Sequence, residues 1–93
     1  MNCNKRILLV DDEERVLFVL SSSLKKLGDD VEIVTAANGW EAWQMAQRSP
    51  FDLLITDLSM PVMDGIELTR AIKALYPQTA VVWITAHSAY FLP

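Results

Sequence analysis

The chain has 93 residues, of which 52% are hydrophobic and 22% charged, and its net charge is −4. This length accommodates one domain (1–93), and the composition is that of a globular protein rather than a disordered one. The acidic balance and the scattered lysines and arginines argue against direct contact with nucleic acid. No apolar stretch comes close to the length of a membrane-spanning helix, which is about 20 residues. Because a signal-peptide core is also lacking and Cys3 is the only cysteine, we expect a cytoplasmic protein.

The first half of the chain predicts two strand–helix pairs. The apolar run at about 6–10 is short and uninterrupted, as in a strand buried on both faces, and two acids follow it. Residues 13–27 carry apolar side chains at helical spacing, with acids in the first turn and lysines near the last. The β-branched residues at 31–36 predict a second strand. A helix at 39–48 follows, because Asn38 is a typical N-cap residue and a glutamate stands three positions later.

The second half predicts one more pair and a final strand. An apolar strand at about 51–56 is followed by a proline-containing loop and a helix at about 65–75. The β-branched residues at 79–85 predict a fourth strand, after which too few residues remain for another helix and strand. Strands that alternate with helices predict an α/β fold of order (βα)3β, with a doubly wound parallel sheet and helices on both faces.

Polar side chains follow three of the predicted strands at the point where each strand ends. Asp11 and Asp12 follow the first strand, Asp57 follows the third, and Thr85 ends the fourth. If these strands are neighbours in one parallel sheet, we expect the side chains to lie in one depression. Adjacent carboxylates repel one another, and a divalent cation relieves that repulsion. Oxygen ligands alone favour Mg²⁺ or Mn²⁺ over zinc.

A carboxylate beside such a cation can attack phosphorus, which makes Asp57 a candidate phosphoryl acceptor. The hydroxyl of Thr85 and the backbone N–H of Ala86 are then candidate donors to the phosphoryl oxygens.

Simpler interpretations stay open beside this one. Asp11 or Asp12, taken singly, is explained equally well as a residue that begins a turn or caps a helix. Asp64 is interpreted as a helix cap, and the single histidine, His87, as a solvated residue rather than a catalytic base.

The same segments resemble a known family, the phospho-acceptor receiver domains of bacterial two-component response regulators. The segments that carry the resemblance are ILLVDDEE at 7–14, AANGWEAW at 36–43, FDLLITDLSMPVMDG at 51–65 and VVWITAH at 81–87. The resemblance covers nearly the whole chain and implies a flavodoxin-like fold with the strand order 2-1-3-4-5.

The resemblance also implies roles for individual residues. Asp57 looks like the phosphorylated residue, Asp12 like a direct Mg²⁺ ligand, and Asp11 like an acid that acts largely through water. The backbone carbonyl of Ser59 would complete the metal shell, and Thr85 is similar to the hydroxyl that moves toward the phosphoryl group. The implied donor is a phosphohistidine on a sensor histidine kinase, so the domain would be a phospho-acceptor rather than an enzyme.

The chain departs from the family after the fourth strand, where the resemblance leads us to expect a fifth βα unit with a lysine and a switch aromatic. Lysines occur only at positions 5, 25, 26 and 73. We therefore expect a C-terminally truncated receiver that still binds Mg²⁺ but is phosphorylated inefficiently.

The missing unit would also leave the strand at 79–85 as an open apolar edge. We expect this edge to be covered by a second copy, by a swapped segment, or by the tail 87–93 folding back. The alternative function is a non-catalytic interaction module that dimerises through this strand. A metal-dependent phosphatase with an aspartate nucleophile is disfavoured, because position 59 is serine rather than a second acid.

Overall fold

A computed structural model describes residues 5–85 and, as backbone, residues 89–92. In chain order the elements are β1 (Lys5–Val10), α1 (Glu14–Lys25), β2 (Val31–Ala36), α2 (Gly39–Arg48), β3 (Leu53–Asp57), α3 (Gly65–Leu75), β4 (Ala80–Ile84) and β5 (Ala89–Leu92). The bounds of the three helices and the first four strands lie within two residues of the predicted ones. In the described part of the chain, no helix has the length and apolar character that a membrane crossing requires.

The sheet has the strand order β2-β1-β3-β4-β5. Strands β1 to β4 are parallel to one another, which confirms the predicted (βα)3β parallel core. The two most apolar strands, β1 and β3, are both interior to the sheet. Leu8, Leu9 and Leu54 on these strands have no exposed surface, as expected for strands covered on both faces.

Helices pack on both faces of this sheet. On one face, α2 and α3 cover the larger cluster of buried residues, and on the other face α1 covers a smaller one. The larger cluster includes Leu8, Val10, Leu54, Val81, Ala42, Ala46, Leu68 and Ile72. In the smaller cluster, Ile7, Leu9 and Ile55 are buried beneath half-buried leucines of α1. This packing holds the strand ends, and therefore the loops that follow them, in fixed relative positions.

Two helices begin at the cap residues that the sequence predicts. The side chain of Asn38 accepts a hydrogen bond from the Glu41 N–H at 2.7 Å, and that of Asp64 accepts one from the Glu67 N–H at 2.8 Å. Each bond satisfies a backbone donor that the first turn of a helix leaves without an intrahelical partner. Asp64 is therefore confirmed as a cap, which distinguishes its role from that of Asp57 at the end of β3.

The last strand differs from the predicted fold. Strand β5 runs antiparallel to β4, and its register pairs Leu92 with Val81 and Ala89 with Ile84. The expectation of an open edge at 79–85 is therefore wrong, because β4 has a partner strand on each side. Of the three predicted covers, the structure has the tail folding back, and β5 rather than β4 is the terminal strand of the sheet.

Candidate functional site

Three aspartates meet where β1 and β3 end. One carboxylate oxygen from each of Asp11, Asp12 and Asp57 lies within 4.8 Å of the others. Asp11 is buried, Asp57 is half-buried and Asp12 is exposed. The grouping follows from the sheet, because β1 and β3 are parallel neighbours whose register pairs Val10 with Thr56 and so aligns their last residues. Asp11 and Asp12 directly follow β1, and Asp57 is the last residue of β3, so the three carboxylates lie at the same edge of the sheet.

Two of the three aspartates, Asp11 and Asp57, line a cavity of about 440 Å³. Its lining residues are Asp11, Glu13, Val16, Asp57, Ser59, Ile84 and Thr85. The structure thus places Ser59 and Thr85 beside Asp57, as the sequence predicts, because β4 is the next strand after β3 in the sheet. Ala86, the other predicted phosphoryl contact, lies outside the described residues, as does His87.

The backbone around Asp57 is fixed by hydrogen bonds. The Ser59 N–H donates to Asp57 Oδ1 at 3.1 Å and so sets the rotation of the carboxylate. The hydroxyl of Thr56 donates to the Asp57 carbonyl oxygen at 3.0 Å. One residue later, the Leu58 N–H donates to the carbonyl oxygen of Ile84 at 3.1 Å, which ties the loop to β4. The candidate acceptor therefore lies on a constrained segment, although the loop that follows it is irregular.

Burial and neighbouring negative charges both disfavour the ionised form of Asp11 in this cavity. Burial raises the pKa of Asp11, and the negative charges of Asp57, Asp12 and Glu13 raise it further. The Glu13 N–H, which donates to Asp11 Oδ1 at 2.8 Å, opposes this change and lowers the pKa. The net effect is a raised pKa, which means that the ionised form of Asp11 is disfavoured in the absence of a cation.

The oxygen atoms and the negative charge of the aspartate cluster suit Mg²⁺. The donor set is made of carboxylate oxygens, which a small hard cation prefers, and its crowded negative charge is what such a cation neutralises. The Glu13 N–H bond shows that Asp11 also stabilises the turn before α1, so the simpler role described above coexists with its place in the cluster. The residues present therefore fit a divalent cation.

Glu13 is the acid that the sequence analysis did not select. It is the N-cap of α1 but makes no side-chain capping bond, and it lines the cavity beside Asp11. Its position two residues after Asp11 is the only signal that could have identified it, and many exposed acids have such a position.

Comparison with known proteins places this arrangement in a family. A family model for the response regulator receiver domain matches residues 7–92. The chain belongs to this family. As a receiver domain it is part of the two-component class of signalling proteins, and the match runs through all three aspartates and both strands that carry them.

Relatives of this receiver domain come from several bacteria. A response regulator receiver protein of Anaeromyxobacter sp. is 41% identical over 91% of this chain and 35% of its own length. The receiver protein CpdR of Brucella abortus is 39% identical over 95% of this chain and 72% of its own. The chain thus spans about a third of the first relative and most of the second.

Solved structures show the same fold. The response regulator TrrA of Thermotoga maritima, in complex with Mg²⁺-BeF, has a TM-score of 0.82 and 37% identity over 90% of this chain and 71% of its own. TrrA has also been solved in complex with the histidine kinase ThkA, where the TM-score is 0.81 over 92% of this chain and 72% of TrrA. The flavodoxin-like fold of the receiver family is therefore confirmed for this chain.

Proposed function

We propose that this receiver domain accepts a phosphoryl group on Asp57 with the help of Mg²⁺ or Mn²⁺. The observation that carries the proposal is the cluster of carboxylate oxygens within 4.8 Å of one another at the ends of β1 and β3. The proposed ligands are Asp11, Asp12, Asp57 and the backbone carbonyl of Ser59. Further support comes from TrrA, a relative that binds Mg²⁺-BeF.

The chemistry of the step follows from the residues around Asp57. A carboxylate oxygen of Asp57 forms a new bond to phosphorus while the bond between phosphorus and the donor nitrogen breaks, and the donor leaves with the bonding electrons. A divalent cation held by Asp11, Asp12, Asp57 and the Ser59 carbonyl would neutralise charge on the phosphoryl oxygens. The Ser59 N–H holds the Asp57 carboxylate in one orientation. The Thr85 hydroxyl and the Ala86 N–H are the proposed donors to the phosphoryl oxygens.

The proposed phosphoryl donor is a phosphohistidine on a sensor histidine kinase. TrrA, which matches 92% of this chain, forms a complex with such a kinase. The domain itself would act as a phospho-acceptor, with no turnover of a separate substrate. A cytoplasmic location and association with a second copy stay predictions, and a second copy would need a surface other than the edge of β4, which β5 occupies.

Phosphorylation can be tested with a small phosphodonor, phosphoramidate, in the presence of Mg²⁺. We expect one phosphoryl group per chain by intact-mass spectrometry, and none on the variant Asp57→Asn. Asp64→Asn is the matched control, because Asp64 is in the same loop but caps α3. Equal incorporation by Asp57→Asn and the unsubstituted chain would refute the proposal. Since the lysines lie before β4, we also expect a slower reaction than that of TrrA assayed in parallel.

A further inference from the structure

A series of hydrogen bonds leads from the indole of Trp83 to the backbone next to Asp57. Trp83 is on β4, two residues before Thr85, and its half-buried ring packs against the larger core cluster. Its Nε1–H donates to the hydroxyl of Thr69 on α3 at 2.9 Å. That hydroxyl donates in turn to the carbonyl oxygen of Gly65 at 2.7 Å. Thr69 is 8% exposed, so water offers little competition for these bonds.

Gly65 brings this series to the proposed acceptor. Its N–H donates to the Leu58 carbonyl oxygen at 3.0 Å, and a Cβ at position 65 would collide with the backbone oxygen of Asp57. The first turn of α3 therefore rests directly on the backbone that carries Asp57. Because the Leu58 N–H bonds to Ile84 on β4, the contacts form a closed ring from β3 through α3 to β4 and back to β3.

We propose that Trp83 is a positioning residue for the cation site, acting through Thr69 and Gly65 on the backbone of Asp57. This inference rests on the proposed function, because the cation is the group whose binding Trp83 would tune. A shift of α3 away from β4 breaks the part-buried hydrogen bond from Trp83 to Thr69 and leaves a polar group without a partner, which is unfavourable. Trp83 thereby keeps the Asp57 carboxylate at the distance from Asp11 and Asp12 that a shared cation requires.

The competing interpretation is that Trp83 only fills space in the core. A packing role predicts that its loss lowers stability while the cation affinity of the folded protein stays the same. The pair Thr69→Val and Thr69→Ser separates the two roles, since valine keeps the volume but lacks the hydroxyl, whereas serine keeps the hydroxyl. Trp83→Phe is a second variant, which keeps an aromatic ring but removes the N–H donor.

The first measurement is the dissociation constant for Mg²⁺ by calorimetry, with urea denaturation to verify that each variant is folded. We expect the unsubstituted chain and Thr69→Ser to agree within about twofold, and Thr69→Val and Trp83→Phe to bind about three- to tenfold more weakly. The weaker binding should appear even in solutions where the variants are fully folded.

The second measurement is spectroscopic. The full chain is labelled with 5-fluorotryptophan, and the fluorine-19 resonance of Trp83 is assigned by its loss in Trp83→Phe. We expect this resonance to shift on addition of Mg²⁺ with the midpoint that calorimetry gives, and to respond less in Thr69→Val. Trp40 is the internal control, because it is 54% exposed on α2 and lies outside the ring of hydrogen bonds.

The outcomes distinguish this inference from the proposed function. Equal Mg²⁺ affinities for Thr69→Val and Thr69→Ser would overturn the positioning role, as would a Trp83 resonance that stays fixed while calorimetry records saturation. Absence of Mg²⁺ binding by the unsubstituted chain would overturn the cation site and the inference together. If Mg²⁺ binds as expected and Asp57 is not phosphorylated, the phosphoryl-acceptor proposal fails and the positioning role stands.

Discussion

Val62 lies in the loop after Asp57 in a conformation that its side chain disfavours. Its φ is +72°, in the left-handed region, and the Met63 N–H donates to the Pro61 carbonyl oxygen at 2.8 Å across it. These features describe a γ-turn with positive φ at its central residue, which is a strained form. The side chain is 92% exposed, so packing contributes almost nothing to compensate. The strain is of the order of 1–2 kcal/mol for an ordinary L-residue.

Relief of this strain should stabilise the protein. Asparagine tolerates positive φ, so we expect Val62→Asn to raise the free energy of unfolding by about 1 kcal/mol, most of the strain estimated from the backbone. In a domain of this size that corresponds to an increase in Tm of about 4–8 °C. Val62→Gly should stabilise less, because glycine loses about 0.5–1 kcal/mol more conformational entropy on folding. Urea denaturation and thermal melting measure both variants.

A matched control separates backbone strain from a general effect of removing an exposed valine. Val19 is 58% exposed on α1, where the backbone is helical and asparagine has a slightly lower propensity than the best helix formers. We expect Val19→Asn to be neutral or mildly destabilising. If Val62→Asn is no more stable than the unsubstituted protein, or if Val19→Asn stabilises it equally, the strain at position 62 is not what limits stability.

Three further predictions concern the cluster itself. The pKa of Asp11 is raised in the folded state. The protonated side chain therefore contributes fully to the free energy of unfolding below about pH 4, and this contribution is lost as pH rises through the raised pKa. Asp11→Asn should therefore be more stable than the unsubstituted protein at neutral pH without cation, and the difference should shrink in acid, as thermal melts at several pH values would show. Mg²⁺ at about 100 times its dissociation constant should stabilise the protein by about 2.7 kcal/mol, and an unchanged Tm at saturation would argue against a site specific to the folded state. Gly65→Ala should lower the free energy of unfolding by about 1–3 kcal/mol, because the new methyl group meets the Asp57 backbone oxygen. It should also weaken Mg²⁺ binding. Ala71→Gly on the same helix is the control, since it should lower stability without changing the Mg²⁺ affinity.

The sequence predicts the central part of this fold because its signals there are strong. The apolar runs of β1 and β3 contain little besides buried side chains, and such runs are typical of strands with helices on both faces. Asn38 and Asp64 mark the starts of α2 and α3 because each cap bond is local, between residues three positions apart. The positions of Asp11, Asp12 and Asp57 follow once the strands are parallel neighbours.

The features that the sequence did not predict depend on contacts rather than on composition. Strand β5 was predicted only as one of three possible covers of β4, because the remaining residues are too few for a parallel crossover, whereas an antiparallel return needs only a short connection. The strain at Val62 has no sequence signal, since valine gives no indication of positive φ. The bond from Trp83 to Thr69 joins residues 14 positions apart on a strand and a helix, and their contact is set by how α3 packs on the sheet.

The antiparallel return of β5 has a consequence for the order in which the sheet assembles. A hairpin such as β4–β5 joins residues that are close in sequence and closes in about 1–10 μs. The β1–β3 pairing instead joins residues such as Ile7 and Leu53, which are 46 positions apart, and such contacts form slowly. We therefore expect β4 to pair with β5 before the parallel core is complete. The backbone edge of this apolar strand is then already hydrogen-bonded during the slow phase in which aggregation competes with folding.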